Sequence, residues 1–404
     1  MKTTLTAALG PTILIPGRAA AYDLAEIERK LADPSGVEGV SKNDLPTPAL
    51  IVDLDILEGN IARMAAHAKQ AGLDLRPHAK THKTPEIAKR QVAAGALGVC
   101  AATIREAEAM NAAGIRGLLI TGELVGPNKV ARLVRLTQKA RETMVAVDNA
   151  ANAEELSEAA QAAKVTINVL VDIDPVGRRT GIAPGAGAVE LAKKVDQLDG
   201  LRLRGVHGYS GASSHVTGFA ERTEHSTDVM TPVLDSFTAM QKAGLPAEIM
   251  SGASTGTYNI DSQFDRMTEM QVGSYVVMDV DYRRIGGRSG AVYDDFGPAL
   301  SVLATVISKN YTDIATVDAG LKAFATDRRD FGPEPKLEGV TYSFNGDEHG
   351  RLHLENAAKD VQLGQKVEMI VPHCDPNVNL YDRMYVCRGD QVREVWQVAA
   401  RGHI

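Results

Sequence analysis

From about residue 45 onward, short runs of β-branched and apolar residues alternate with longer Ala-, Glu- and Lys-rich stretches that carry helical spacing. The runs cover residues 49–53, 74–78, 98–102, 117–121, 144–148, 166–172, 203–208 and 248–251. Eight candidate strands with helices between them is the count of a (β/α)8 TIM barrel. A doubly wound open sheet shows the same local alternation, but no Gly-x-Gly-x-x-Gly follows the first run to support one. After Gly290 the rhythm changes: β-branched runs at 299–307, 314–317, 366–371 and 384–387 dominate and helical spacing is scarce. The pattern predicts an α/β protein with an N-terminal extension over residues 1–44, a barrel over 45–290 and a C-terminal β-domain over 291–404. The extension contains a helix-like segment at 24–32 and is expected to pack on the C-terminal domain.

Bulk properties remove several functional classes. The 404 residues carry a net charge of −7, and the one basic cluster is too short to track a phosphate backbone, so no nucleic acid partner is expected. No apolar run is long enough to span a membrane. Residues 1–21 have an early lysine and some apolar positions, but Gly10-Pro11 interrupts them and Pro16-Gly17-Arg18 follows, so a leader is not expected. Cys100, Cys374 and Cys387 are too few and too scattered for a disulfide framework, which suits a reducing cytoplasm.

The candidate chemistry starts at Arg76-Pro77-His78-Ala79-Lys80-Thr81-His82-Lys83, five basic side chains in eight positions just past the second candidate strand. A lysine amine attacks an aldehyde only when unprotonated, and His78, His82 and Lys83 are neighbours that would lower the pKa of Lys80. A solvated basic turn accounts for such a cluster equally well. In a parallel barrel, catalytic groups sit at the C-terminal ends of strands, which draws in Arg179 after the sixth run and Tyr209 and His215 after the seventh. Arg178 reads as a surface turn, and a tyrosine or histidine in a glycine-rich loop is as often structural as catalytic. Residues 251–257 and 273–275 offer backbone N–H groups and small hydroxyls for a phosphate, although Gly and Ser mark any loop. In Pro372-His373-Cys374-Asp375-Pro376, an extended chain would aim His373 and Asp375 the same way while Cys374 points elsewhere.

The Arg-Pro-His-x-Lys-Thr-His-Lys element resembles that of the fold-type III pyridoxal-phosphate enzymes, the alanine racemase-like barrels. The similarity runs from about Leu45 to the C-terminus and is narrowest with the D-threonine aldolase and D-serine dehydratase group. The resemblance implies that Lys80 holds pyridoxal 5'-phosphate beside His78, and that Arg179 faces the pyridine nitrogen. It implies further that Ser254, Thr255, Gly273, Ser274 and Tyr275 cradle the phosphate, with Tyr209 and His215 at the same mouth. His373 and Asp375 then correspond to the group's metal-binding pair. Dehydratase members tend to have cysteine where this chain has Asp375, an oxygen ligand suited to Mn2+ or Mg2+ ahead of Zn2+ or Co2+. Val317-Asp318-Ala319-Gly320 and Asp347-Glu348-His349-Gly350 are also family-like and imply a β-domain over the barrel mouth, although a capped turn explains Asp318 as simply.

The implied activity is retro-aldol cleavage of a D-β-hydroxy amino acid to glycine and an aldehyde, or glyoxylate from 3-hydroxy-D-aspartate. The alternative is dehydration of D-serine or 3-hydroxyaspartate. Racemisation needs no metal, and a pyridoxal-phosphate homeostasis protein lacks the added β-domain. Arg283 and Arg284 would serve a second substrate carboxylate only if they reached the pocket; a solvated turn is the default reading. A homodimer with its active site near the subunit interface is implied by the resemblance alone.

Overall fold

The computed structural model describes residues 23–32, 39–175, 177–328 and 330–402; the leader expectation and most of the rest of the N-terminal extension lie outside the described residues. Eight parallel strands form one sheet: Asp74–Leu75, Cys100–Ala101, Leu119–Ile120, Met144–Val147, Ile167–Asp172, Leu201–Gly208, Ile249–Gly252 and Glu269–Met270. Helices such as Pro85–Ala93, Pro127–Lys139, Ala150–Ala163 and Phe219–Lys242 alternate with them. The ring closes where His78 bridges Cys100 in parallel, with the Cys100 N–H donating to the Pro77 carbonyl at 2.9 Å. Apolar faces of the helices pack on the strands around Val99, Leu133, Leu156, Val169, Leu191, Phe237 and Met250.

One predicted barrel strand lies elsewhere. Ala49–Asp53 runs in the second sheet, antiparallel to Leu300–Ser308 and parallel to Arg383–Arg388. Ala49, Leu50, Ile51 and Val52 are all buried, so this run looks like any strand covered on both faces, and periodicity cannot say which sheet takes it. The barrel boundary accordingly moves from residue 45 to the helix Leu54–Ala71, which leads into Asp74–Leu75.

The eighth barrel strand is Glu269–Met270, unrecognised in the sequence because a glutamate opens it and polar residues, Thr268 and Gln271, flank it. The fold makes use of that polarity. Glu269 accepts from Arg76 Nε at 3.0 Å and Nη2 at 2.9 Å, and from Ser251 Oγ at 2.6 Å. Both ion-pair partners are buried. Removing one would leave the other charge uncompensated, so Glu269→Ala is expected to cost about 3–5 kcal/mol of stability, measured by urea unfolding.

The second sheet has ten strands centred on Leu300–Ser308. The predicted β-runs are realised as Leu300–Ser308, Ile314–Val317, Lys366–Ile370 and Arg383–Arg388, joined by Val340–Phe344, Gly350–Leu354 and Gln391–Gln397. The helix Leu24–Ala32 buries Ile27 completely in a cluster with Val40, Leu45, Ile51, Leu303, Tyr385 and Val392, so this part of the extension lies on the second sheet. Asp318 is also structural: its carboxylate accepts from Thr47 Oγ1 at 2.6 Å and from the Thr305 N–H at 2.7 Å, within the second sheet. A shared core that includes Met64, Tyr275, Phe296, Val302, Met384 and Trp396 fastens the sheet to the barrel. That junction sets the helix Cys374–Val378 against the 3-10 turn Ala79–Thr81.

Candidate active site

Lys80 sits where the barrel rule puts a catalytic residue, in the 3-10 turn that follows Asp74–Leu75. His78 caps that turn, its Nδ1 accepting from the Lys80 N–H at 3.3 Å, while its Nε2 lies 3.0 Å from Thr121 Oγ1. With Nδ1 accepting, the ring proton belongs on Nε2. Burial, and then the charge of Lys80, hold the His78 pKa well below its ordinary value, so the ring is neutral. His82 is neutral too: burial lowers it to about 4, and its Nδ1 accepts from the Thr84 N–H. Lys83 is paired with Glu106 at 3.0 Å, both side chains buried.

The crowd of cations expected around Lys80 is therefore dispersed by the fold. Burial alone would lower the Lys80 amine, but the Asp375 carboxylate in direct contact with it, helped by Tyr209, raises its pKa instead. Burial would likewise raise Asp375, yet Lys80 and then His373 hold it well below the usual carboxylate range. The amine is an ammonium held against that carboxylate.

A cleft of about 180 Å³ opens beside Lys80, with His78, Glu123, Arg179, His207, Tyr209 and Gln271 among its walls. Arg179 lies over the Tyr209 ring, 5.4 Å from its centre. The Arg179 turn is tight: Gly181 has φ +96°, and a Cβ there would meet the Asp174 nitrogen at 2.5 Å. Arg178 projects from the exposed part of that turn, where Asp174 accepts from the Gly177 and Arg178 N–H groups at 2.7 and 2.8 Å. At the cleft wall, His207 Nδ1 meets Asp172 Oδ1 at 2.6 Å. Burial and the neighbouring Asp172 carboxylate raise Glu123 to about 7.

The two loops expected to hold a phosphate are joined to each other: Thr255 Oγ1 accepts from the Tyr275 N–H at 3.0 Å. Ala253, just before Ser254, takes a left-handed φ of 67°, a strained turn of the kind that collects at binding sites. Gly273 lies under the lysine element; a Cβ there would sit 2.7 Å from Thr81 Oγ1 and 3.3 Å from the His78 carbonyl. Ser274 begins the 3-10 turn Ser274–Val276. Ser254 Oγ lies 2.9 Å from Thr257 Oγ1. The Tyr275 phenol is turned into the core, accepting from Gln91 at 3.0 Å and packing on Phe296, so only its backbone borders these loops.

For the pyridoxal phosphate that the resemblance implies, these residues fit. A lysine amine faces the cleft, a close-packed glycine keeps side chains out from under it, and Glu123 Oε1, Thr81 Oγ1 and His215 Nδ1 are buried without hydrogen-bond partners.

His373 and Asp375 are set differently from the expected alternating strand. His373 is extended, with φ −143° and ψ 119°, but the helix Cys374–Val378 begins immediately after it. The Cys374 N–H donates to Asp279 at 2.8 Å, and that start turns Asp375 toward Lys80 while Cys374 is fully buried. His373 Nδ1 is 2.6 Å from Asp327 Oδ2, which orients the ring as a carboxylate behind a metal-binding histidine does. His215 comes to the same region: its Nδ1 is 3.4 Å from Asp281 Oδ2, its ring 4.7 Å from that of Tyr282, and burial lowers its pKa. Among the described residues no group of three or more His, Cys, Asp or Glu is arranged to hold a metal. One imidazole and one carboxylate fit an ion that takes its remaining ligands from water and substrate.

The fold thus gathers Lys80, His78, Arg179 and Tyr209 at one cleft, and His215, His373 and Asp375 at its rim. The sequence reading missed Glu123, His207 and Gln271. Glu123 is three residues past the strand Leu119–Ile120, so the strand-end rule pointed to it; Gln271 follows the strand that went unrecognised. Arg283 and Arg284 do not enter the cleft and instead pair with Glu334 and Asp330 at 3.3 and 3.4 Å.

Comparison with known proteins adds a second line. The alanine racemase N-terminal domain family matches residues 52–281, and the putative serine dehydratase domain family matches residues 299–387. The chain is 35% identical to 3-hydroxy-D-aspartate aldolase of Paracoccus denitrificans (strain Pd 1222) over 376 residues, 92% of this chain and 96% of that protein. It is 37% identical to D-threonine aldolase of Arthrobacter sp over 361 residues, 88% of this chain and 93% of that one. The crystal structure of D-threonine aldolase from Filomicrobium marinum superposes with a TM-score of 0.86 at 40% identity, covering 91% of this chain and 98% of that chain.

Proposed function

The chain belongs to the alanine racemase-type barrel family, in the group of D-threonine aldolase and 3-hydroxy-D-aspartate aldolase, and from that premise we propose that it is a lyase dependent on pyridoxal phosphate and a divalent metal. Its reaction is cleavage of a D-β-hydroxy amino acid to glycine and an aldehyde. The observation that carries this reading is the Lys80–Asp375 contact, which joins the amine of the barrel to the His-x-Asp pair of the second sheet at one mouth.

Pyridoxal phosphate, when bound, supplies an electron sink for the bond broken at Cα. Lys80 would hold it through the ε-amine, Ser254, Thr255, Gly273 and Ser274 would hold its phosphate, and Arg179 and Tyr209 would line the site of its ring. His373 and Asp375 would hold a divalent ion, Mn2+ or Mg2+ by the hardness of the carboxylate, which acidifies a bound hydroxyl. His215, kept neutral by burial, accepts the β-hydroxyl proton on its ring nitrogen, and Asp281 beside it steadies the charged ring that results. In this reading the enzyme is a homodimer with the site near the subunit interface, on the strength of family resemblance. None of the described helices is long and apolar enough to cross a membrane, and a cytoplasmic location belongs to the same reading, supported by three buried free cysteines.

Dehydration is the second reading, favoured by the match of residues 299–387 to the putative serine dehydratase domain. Product analysis separates the two. Protein supplied with Mn2+ and pyridoxal phosphate, given D-threonine and D-3-hydroxyaspartate in turn, is expected to release glycine with one equivalent of acetaldehyde or glyoxylate. Ammonia with a 2-oxo acid would reverse the assignment.

A further inference from the structure

At the opposite end of the barrel from Lys80, a cavity of about 580 Å³ opens between the ends of the helices Pro127–Lys139 and Ala150–Ala163 and the starts of the strands Ile167–Asp172 and Leu201–Gly208. Arg141, Lys164 and Arg202 line it, and no acidic side chain does. Among the described residues none of these three cations has an ion-pair partner. Their neighbours differ: Arg204, two positions along the same strand, pairs with Glu248 at 3.3 Å, and Glu142, next to Arg141, accepts from the Gly117 N–H at 3.5 Å. Buried Asn168 ties the group together, as the register partner of Arg202 and through its Nδ2, which donates to the Arg141 carbonyl at 2.9 Å.

Lys164 stands where glycine is the usual choice. It caps its helix in the left-handed conformation at φ +53°, whereas the cap of Leu54–Ala71 is Gly72 at φ +69°. A lysine inside the last turn would meet the helix dipole without that strain, so the dipole alone does not account for a cation at this position. The two helix ends bring about −0.5 charge each, and three full positive charges against them leave the cavity at about +2. We propose that this cavity binds a small phosphate-bearing anion. Guanidinium forks match phosphate oxygens bidentately, the lysine adds a point charge, and the volume is that of a small-molecule site. The loops assigned to the cofactor phosphate follow Ile249–Gly252 and Glu269–Met270, at the other ends of the strands, so the two sites are separate.

The probe is inorganic pyrophosphate, titrated calorimetrically into protein that has been loaded with pyridoxal phosphate and desalted, in buffer of fixed ionic strength without free divalent ions. Wild type is expected to bind it saturably at one site, and Arg141→Gln and Arg202→Gln should each weaken binding about tenfold or more. Lys164→Gly separates the ligand from the fold: it relieves the left-handed strain, so the free protein should melt no lower than wild type while its affinity for pyrophosphate falls. No saturable binding by wild type would overturn the proposal, as would binding that all three variants keep. Citrate, a multiply charged anion without phosphate geometry, should bind at least about tenfold more weakly, and equal binding of citrate would overturn the phosphate assignment.

Discussion

Replacing Lys80 with alanine is expected to abolish the visible absorbance of bound pyridoxal phosphate and to lower turnover by on the order of 10⁴-fold or more. One side chain then serves both to anchor the cofactor and to move protons, and losing an acid-base group alone sits at 10²–10⁴-fold. The structure supplies a control. The ammonium of Lys80 lies against Asp375, so alanine also strips a carboxylate of its cation and lets the Asp375 pKa rise toward its ordinary value. Lys80→Arg restores a permanent cation for Asp375 but has no amine to condense with an aldehyde. Both variants should lack the visible band if Lys80 is the cofactor lysine. A band and turnover retained in Lys80→Ala would dismiss the central assignment, because among the described residues no other lysine borders the cleft.

The second large effect is expected at Asp375. Asp375→Ala should lower activity by about 10²–10³-fold, several kcal/mol of transition-state stabilisation at 1.36 kcal/mol per decade. The measurement that isolates the cause is the metal titration: half-saturation by Mn2+ should rise at least about tenfold, as it should for His373→Ala. Asp327→Asn, which leaves both donors in place but loosens the carboxylate behind His373 Nδ1, should show a smaller shift in the same direction. If Asp375→Ala kept the wild-type metal response and lost only cofactor binding, Asp375 would be a partner of Lys80 and nothing more.

These predictions draw on different kinds of information. The lysine turn was legible in the sequence because its neighbours are local: Arg76 to Lys83 are contiguous, and the turn follows a strand whose alternation is plain. The charge state of Lys80 was not. The sequence places cations beside it, whereas its dominant partner, Asp375, is 295 positions away, and electrostatic contacts depend on distance in space alone. The same holds for His373 and Asp375, whose pairing was readable as a motif but whose directions came from a helix start capped by Asp279.

The chain by itself determined the alternation of strand and helix, the change to β-structure after Gly290, and most of the residues that meet at the cleft, because periodicity and turn chemistry are properties of neighbouring residues. Which sheet each strand joins was decided by the tertiary structure. Ala49–Asp53 is apolar on both faces and would suit either sheet, yet it lies between Leu300–Ser308 and Arg383–Arg388. Glu269–Met270 lacks an apolar run, yet it closes the barrel because Arg76 and Ser251 on adjacent strands satisfy a carboxylate that could not otherwise be buried. Asp172 and His207 likewise meet because pairing of Ile167–Asp172 with Leu201–Gly208 sets them opposite each other, although 35 positions separate them in the chain.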